Sequence, residues 1–114
     1  MPGALISVVE TNAYLAKAKR LIDEEERTAI IDQLATDPTC GDLIPEGGGI
    51  RKLRIGIRGR GKRGGARVIY FYHSGRMPVY LLTLFAKNER DDLSRREIHD
   101  LAAAVKLIAK IHEG

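Results

Sequence analysis

The sequence predicts an α+β protein in which a small antiparallel sheet carries helices packed on one face. Two helical stretches lie near the start, three strand-like runs follow in the middle, and a long helical stretch ends the chain. The predicted order is β-α-α-β-β-β-α, which is typical of the α+β layer architecture. A length of 114 residues suits one domain, so we expect residues 1–114 to form a single unit.

The first third of the chain predicts one strand and two helices. Residues 4–9 are rich in branched apolar side chains and predict the opening strand. Apolar residues then recur every three or four positions across residues 11–22, which predicts a helix. Asp23 and Glu26 form a capping-box pattern that starts a second helix. This helix should end near Asp37, because the next residue is a proline.

The middle of the chain predicts three strands in an antiparallel meander. Residues 37–50 predict a loop because they are rich in proline and glycine. Strand-like runs follow at residues 50–57, 66–73 and 78–86, and short glycine-containing connections join them. A second capping-box pattern opens the last predicted element, a helix across residues 94–112.

Positive charge is concentrated in the middle of the chain. The net charge is only +4, yet residues 47–88 contain ten Lys and Arg and no Asp or Glu. Such segregation costs self-repulsion in the folded state and indicates a polyanionic partner. Nucleic acid is favoured over a membrane surface, because no basic amphipathic helix coincides with the charge.

Several classes of protein fit the sequence poorly. No run of eighteen apolar residues and no signal-peptide pattern is present, so we expect a cytoplasmic protein. Cys40 is the only cysteine, and the basic region lacks His or acidic residues at ligand spacing, so we expect no metal and no cofactor. Gly59, Gly61 and Gly64 match a dinucleotide fingerprint, but a strand follows them instead of the required helix.

The strand at residues 50–57 should display two cations on one face. Side chains alternate across a strand, so Leu53 and Ile55 face the helices while Lys52 and Arg54 point the other way. These two cations lie about 6.6 Å apart along the strand. With Arg67 on the next strand, they could converge on one phosphodiester. The alternative is a solvated face whose cations keep an exposed strand from pairing with other chains.

The loop between the first two strands of the meander combines glycines with cations. Glycine permits close approach of a phosphate backbone, and Lys and Arg supply salt-dependent attraction. We therefore interpret the loop as a cationic flap that binds RNA. Its candidate RNA-binding residues are Arg58, Arg60, Lys62 and Arg63.

The run GGGIRKLRIGIRGRGKRGGARVIYFY, followed by VYLLTLFAKNERDDLS, resembles the HigB-type branch of the RelE superfamily of bacterial toxins. The resemblance extends from about residue 4 to residue 108, and the predicted element order matches the RelE-like fold that it implies. It implies a ribosome-dependent endoribonuclease, an mRNA interferase that cuts mRNA in the decoding site and inhibits translation. It also implies an antitoxin partner, often with a helix-turn-helix DNA-binding fold. Other branches of the superfamily act on DNA gyrase, so the fold alone does not decide the target.

The resemblance also assigns site residues. The family's catalytic positions fall on Lys52, Arg54, Arg67 and Lys87. A further cation of the family is replaced by Asn88, which we keep as a candidate RNA contact, and the tyrosine that stacks on the substrate base is replaced by Ser94. Another aromatic, Tyr70, Tyr72 or Tyr80, could supply the stacking, or the ribosome could position the base instead.

Metal-free RNA cleavage needs a base, an acid and donors for the phosphorane charge. Like-charge repulsion lowers the pKa of a lysine, so Lys52 is the candidate base, while arginines suit charge stabilisation and Lys87 could be an acid or a phosphate clamp. Glu89 is another candidate for acid–base chemistry, or it could neutralise the basic face. Surface or packing roles are expected for the histidines, His73, His99 and His112.

The nuclease interpretation requires that the cations converge and that the protein's own carboxylates leave them accessible. Two other functions stay open on the sequence: a non-cleaving inhibitor of gyrase or another protein, and a plain RNA-binding module. A gyrase inhibitor has no need of the Lys52 and Arg54 pair. A plain RNA-binding module would bind in a salt-dependent manner without turnover.

Overall fold

A computed structural model describes residues 5–57 and 61–113, with the side chains of residues 61–64 and 113 left out of the description. Within that part of the chain the helices are α1 (Asn12–Leu21), α2 (Glu24–Thr36) and α3 (Arg95–Glu113). The strands are β1 (Val8–Glu10), β2 (Asp42–Leu43), β3 (Ile50–Ile57), β4 (Gly61–Phe71) and β5 (Val79–Ala86). None of the described helices is long and apolar enough to cross a membrane.

The strands form one sheet in the order β1-β5-β4-β3-β2. The predicted meander is confirmed, since β3 pairs antiparallel with β4 and β4 pairs antiparallel with β5. Two pairings were not predicted. β1 lies parallel to β5, and the short strand β2 pairs antiparallel with β3 inside the region predicted as a loop. A two-residue strand is too short to leave an alternating pattern in the sequence.

Side-chain caps set the helix starts where the sequence predicts them. Asp23 accepts a hydrogen bond from the Glu26 amide at 2.8 Å, and Glu26 accepts one from the Asp23 amide at 2.9 Å. Ser94 and Glu97 form the same reciprocal pair at the start of α3. The opening strand is shorter than predicted and is shifted towards the C-terminus, because only Val8–Glu10 pair with β5. Residue 4 lies outside the described part.

The helices cover both faces of the sheet, which corrects the prediction of one face. One core joins α1 and α2 to the sheet; it comprises Tyr14, Ala18, Ile30, Leu34, Leu53, Ile55, Ala66, Val68, Tyr70, Val79, Leu81 and Leu84. The other joins α3 to the opposite face; it comprises Ile44, Ile50, Ile69, Phe71, Met77, Leu82, Phe85 and Val105. β4 is apolar on both faces between Val68 and Phe71, so the second face also needs a cover.

The chain enters β3 through a tight loop. Gly48 and Gly49 have φ values of 72° and 110°, a region that favours glycine. A Cβ on Gly49 would also approach Phe71 Cε1 to 2.9 Å. These two glycines allow the chain to turn from β2 into β3, and β3 carries two of the predicted site residues.

Candidate nucleic-acid interface

The sheet register places Arg54 directly opposite Arg67. The Ile44 amide donates to the Ile50 carbonyl at 3.0 Å, so even-numbered residues of β3 direct their backbone hydrogen bonds towards β2. The Arg54 and Arg67 pair is therefore of the non-hydrogen-bonded type, in which the Cα atoms lie about 4.5 Å apart. Lys52 shares this face of β3 and is aligned with Ile69. We call Lys52, Arg54, Arg67 and Lys87 the basic cluster.

The two arginines differ in exposure. Arg67 is only 7% exposed, and its Nη1 donates to the Ala66 carbonyl at 3.2 Å. It is aligned with Phe85 on its other side. Arg54 is exposed and lies on the next strand. The arrangement gives one guanidinium held within the sheet surface and one that can reach a ligand in solvent.

Lys52 is paired with a carboxylate of the protein itself. Its Nζ donates to Asp92 Oδ2 at 2.9 Å, and the Asp92 side chain is 54% exposed. Partial burial works against ionisation of Asp92, yet hydrogen bonds from Lys52 and from the Leu93 amide, with the charges of Lys52 and Lys87, hold its pKa below the ordinary value. Asp92 therefore occupies a position in which an anion is stabilised by both lysines.

Lys87 lies directly after β5 and is fixed by its backbone. Its amide donates to the Gly65 carbonyl at 2.9 Å, and its Nζ donates to Asp91 at 3.0 Å. The Asp91 side chain is 93% exposed. Lys52 and Lys87 thus each contact an acid of the β5–α3 segment, which we define as residues 87–94. Within the basic cluster, Arg54 is the cation that a ligand can reach without displacing a carboxylate of the protein. The nuclease interpretation required accessible cations, and Arg54 alone meets that requirement.

Arg90 anchors the β5–α3 segment to the sheet. Its guanidinium lies 5.2 Å from the centre of the Phe85 ring, a cation–π geometry. It also pairs with Glu97 and donates to the Asp92 carbonyl at 2.9 Å. The Arg90 hydrogen bond lowers the pKa of Glu97 to about 2. Sequence reasoning missed Arg90, Asp91 and Asp92, although the run RDD so soon after Lys87 was a usable signal.

The remaining candidate acid and the predicted polar contact lie elsewhere. Glu89 pairs with Arg20 of α1 at 2.9 Å, and this hydrogen bond holds the pKa of Glu89 below its ordinary value. Glu89 therefore bonds to α1, and Asp91 and Asp92 take the neutralising role considered for it. Asn88 is exposed and directly follows Lys87.

The side chains of four predicted RNA-binding residues lie outside the described part of the chain. Arg58 and Arg60 lie outside the described residues. Lys62 and Arg63 belong to the backbone of β4, but their side chains are outside the description. The predicted flap is therefore in part strand, since β4 begins at Gly61.

The aromatic candidates for base stacking lie away from the basic cluster. Tyr70 is fully buried, accepts from the Gly41 amide and donates to the Pro38 carbonyl, both at 2.8 Å, so it cannot stack on a base. Tyr72 packs against the α1/α2 core. The Tyr80 hydroxyl lies 2.6 Å from His112 Nε2 on α3. Phe85 is the aromatic aligned with Arg67, but Arg90 covers it.

Other chemistry-bearing groups in the described part of the chain show no organised site. No group of three or more His, Cys, Asp or Glu in that part could hold a metal ion. Cys40 is half-buried, and burial raises the pKa of its thiol. His73 stacks beside Phe71 with ring centres 6.2 Å apart, and His99 is exposed on α3.

Comparison with known proteins agrees with this fold. A family model described as the RelE toxin of the RelE / RelB toxin-antitoxin system matches residues 8–114. A solved structure of an E. coli toxin RelE double mutant in the free state is similar, with a TM-score of 0.59 and 12% sequence identity. The alignment covers 89% of this chain and 97% of that chain. The structural similarity supports a mixed α+β fold.

Proposed function

Because the chain belongs to the RelE toxin family, the toxins of toxin–antitoxin systems, we propose that it is a ribosome-dependent mRNA endoribonuclease that inhibits translation. Family membership implies an antitoxin partner. The HigB-type branch, a helix-turn-helix antitoxin and a cytoplasmic site of action belong to the proposal, as do the ribosome and mRNA as partners.

The observation that carries the proposal is the juxtaposition of Arg54 and Arg67 beside Lys52 on one sheet face. Three cations on adjacent positions of two strands cost self-repulsion, and a phosphodiester offsets that cost. An arginine fork can donate two parallel hydrogen bonds to phosphate oxygens. The face is thus suited to hold one phosphate from two directions.

The proposed reaction is attack of the RNA 2'-hydroxyl oxygen on the adjacent phosphorus. The new bond joins this oxygen to phosphorus, and the bond from phosphorus to the 5'-oxygen breaks. Lys52, in its neutral form, takes the 2'-hydroxyl proton, while Lys87 gives a proton to the departing 5'-oxygen or clamps the phosphate. Arg54 and Arg67 stabilise the extra negative charge of the phosphorane.

Asp91 and Asp92 must move away from the two lysines before the substrate phosphate can bind there. Exposed ion pairs contribute about 0–1 kcal/mol each, whereas an RNA backbone engages several cations together. With side chains 54% and 93% exposed, Asp92 and Asp91 can swing into solvent when phosphate arrives. The carboxylates therefore lower RNA affinity without preventing binding.

Cleavage can be tested in a reconstituted bacterial translation system with a defined mRNA. We expect the protein to arrest synthesis and to create new transcript ends within codons, mapped by primer extension. Arg54→Ala should abolish these ends, because the exposed guanidinium is lost. Arg76→Ala is the matched control, since it removes the same charge from an exposed turn at Ser74–Met77 and should leave cleavage intact.

The same assay separates the alternatives. Arrest without new transcript ends would contradict cleavage and favour a non-cleaving inhibitor, for which gyrase supercoiling is the next assay. Salt-dependent RNA binding with neither arrest nor new ends would favour a plain RNA-binding module.

A further inference from the structure

Among the described residues, one edge of β3 has no neighbouring strand from Leu53 to Ile57. On that side β2 pairs only with Arg51 and Lys52. Even-numbered residues of β3 direct their backbone groups to this side, as the Ile44 to Ile50 hydrogen bond shows. Arg54 therefore presents its backbone N–H and C=O groups at an open sheet edge.

A groove runs along this edge between β3 and α2. Its volume is about 200 Å³, and Glu26, Ala29, Ile30 and Gln33 of α2 line one side. Arg54 and Gly56 line the other side. Because the Arg54 side chain points to the opposite face of the sheet, its backbone is the part that borders the groove.

We propose that this open edge binds an extended polypeptide segment that adds a strand antiparallel to β3 and alternates apolar with acidic residues. Strand addition satisfies the unpaired backbone groups, and alternate side chains then meet two different surfaces. One row faces the groove, where Ala29 and Ile30 favour apolar side chains. The other row faces Arg54, which favours acids. The inference does not depend on RNA cleavage.

The positive charge of β3 distinguishes two candidate occupants of the open edge, a partner protein and a second copy of this chain. Antiparallel pairing of two β3 edges in the register that aligns Arg54 with Arg54 would place like charges directly opposite each other, which is destabilising. Cations on an edge strand also discourage pairing with ordinary strands. An acidic strand gains from the same cations, so the edge selects for it.

Antiparallel pairing with β3 determines which backbone amides of the added strand donate hydrogen bonds to β3. In an antiparallel pair, the residue opposite Arg54 has its side chain on the Arg54 face and exchanges backbone hydrogen bonds with Arg54. These residues are the acids of the added strand. The amides of its apolar residues point away from β3 and are not required.

The test uses the full chain labelled with ¹⁵N and an eight-residue probe of alternating valine and glutamate. We expect the probe to bind and to slow hydrogen exchange of the Arg54 amide, which should exchange faster than the Leu53 and Ile55 amides in the free protein. N-methylation of the glutamate amides should abolish binding, whereas N-methylation of the valine amides should leave it intact. A valine–lysine probe should not bind.

Two protein variants complete the test. Ala29→Lys fills the groove and should weaken probe binding about tenfold or more, as occlusion at an interface centre does. Thr28→Lys adds the same charge at the neighbouring exposed position outside the groove lining and should leave binding unchanged. Absence of binding by the valine–glutamate probe, or binding that ignores N-methylated glutamate or Ala29→Lys, would overturn the proposal.

Discussion

The two faces of the sheet are built differently. The face under α1 and α2 is sealed by one aliphatic and aromatic core that contacts β1, β3, β4 and β5. The face under α3 is divided: an apolar part beneath the helix includes Ile50, Ile69 and Phe71, and the remainder carries Arg54 and Arg67. The sealed face carries the larger set of buried core residues, and the divided face leaves room for a charged site.

The difference shows why charge can accumulate on this fold. Burial of apolar surface on the sealed face stabilises the sheet at about 25 cal/mol per Å², independently of the cations. Arg54 and Arg67 can then be held in register despite mutual repulsion. We therefore expect substitutions on the sealed face to change stability and substitutions in the basic cluster to change activity.

The largest effect is expected on the sealed face. Leu34 of α2 is fully buried, so Leu34→Ala removes apolar contacts and leaves a cavity, with a loss of about 2–5 kcal/mol in the free energy of unfolding. Urea denaturation followed by circular dichroism measures it. Arg54→Ala is the comparison variant and should change stability by less than about 0.5 kcal/mol, because Arg54 is exposed. Equal losses in both variants would erase the distinction between the faces.

Arg67 should give the next largest effect, this time on rate. Arg67→Ala should reduce mRNA cleavage about 10²- to 10³-fold, the usual cost of removing one preorganised donor to a developing oxyanion. Arg67→Lys keeps the charge but loses the planar fork, so it should restore only part of the rate. Cleavage and circular dichroism are measured on the same samples, because Arg67 is buried. Full activity of a folded Arg67→Ala variant would show that Arg67 is not part of the site.

A small gain in RNA affinity is expected when Asp92, the acid that pairs with the Lys52 side chain, is neutralised. Asp92→Asn retains a side-chain oxygen for the Leu93 amide but removes the charge that competes with phosphate. RNA affinity should rise a few-fold, consistent with about 0–1 kcal/mol for an exposed ion pair. Asp100→Asn is the matched control, because Asp100 faces Arg96 on the exposed side of α3. Filter binding at two salt concentrations measures the change, and a decrease in affinity for Asp92→Asn would mean that Asp92 aids RNA binding.

The smallest effect concerns the anchor of the β5–α3 segment. The folded-state pKa of Glu97 is about 2 and its ordinary value is 4.5, so its pair with Arg90 stabilises the fold above pH 4.5 and is lost as pH falls towards 2. Both side chains are more than a third exposed, so solvent screening limits this contribution to a few tenths of a kcal/mol. Glu97→Gln should therefore lower stability at pH 7 but not at pH 2, as thermal unfolding would show. An equal loss at both pH values would exclude the ion pair as its cause.

Much of the fold followed from local sequence patterns. The capping boxes at Asp23 and Ser94 predicted where α2 and α3 begin, because they depend on side chains three residues apart. The alternation in β3 predicted the face of Lys52 and Arg54 for the same reason. The position of α3 and the parallel pairing of β1 with β5 depend on contacts distant in sequence, which periodicity does not encode.

The candidate site was predicted only in part. Its cations were apparent from charge segregation, but the ion pairs of Lys52 with Asp92 and of Lys87 with Asp91 depend on the path of the β5–α3 segment. The acid-free basic region ends at Asn88, and Asp91 and Asp92 lie just beyond it. The burial of Tyr70 likewise depends on its contact with the Gly41 loop and excludes a stacking role that composition allowed.

Single-turnover cleavage of a ribosome-bound mRNA by wild-type protein, Arg54→Ala and Arg76→Ala tests the central claim most directly. We predict that Arg54→Ala cuts at least about 10²-fold more slowly than wild type while Arg76→Ala cuts at the wild-type rate. Equal rates for all three proteins, or no cleavage by the wild type, would contradict a phosphate-gripping role for this face of the sheet.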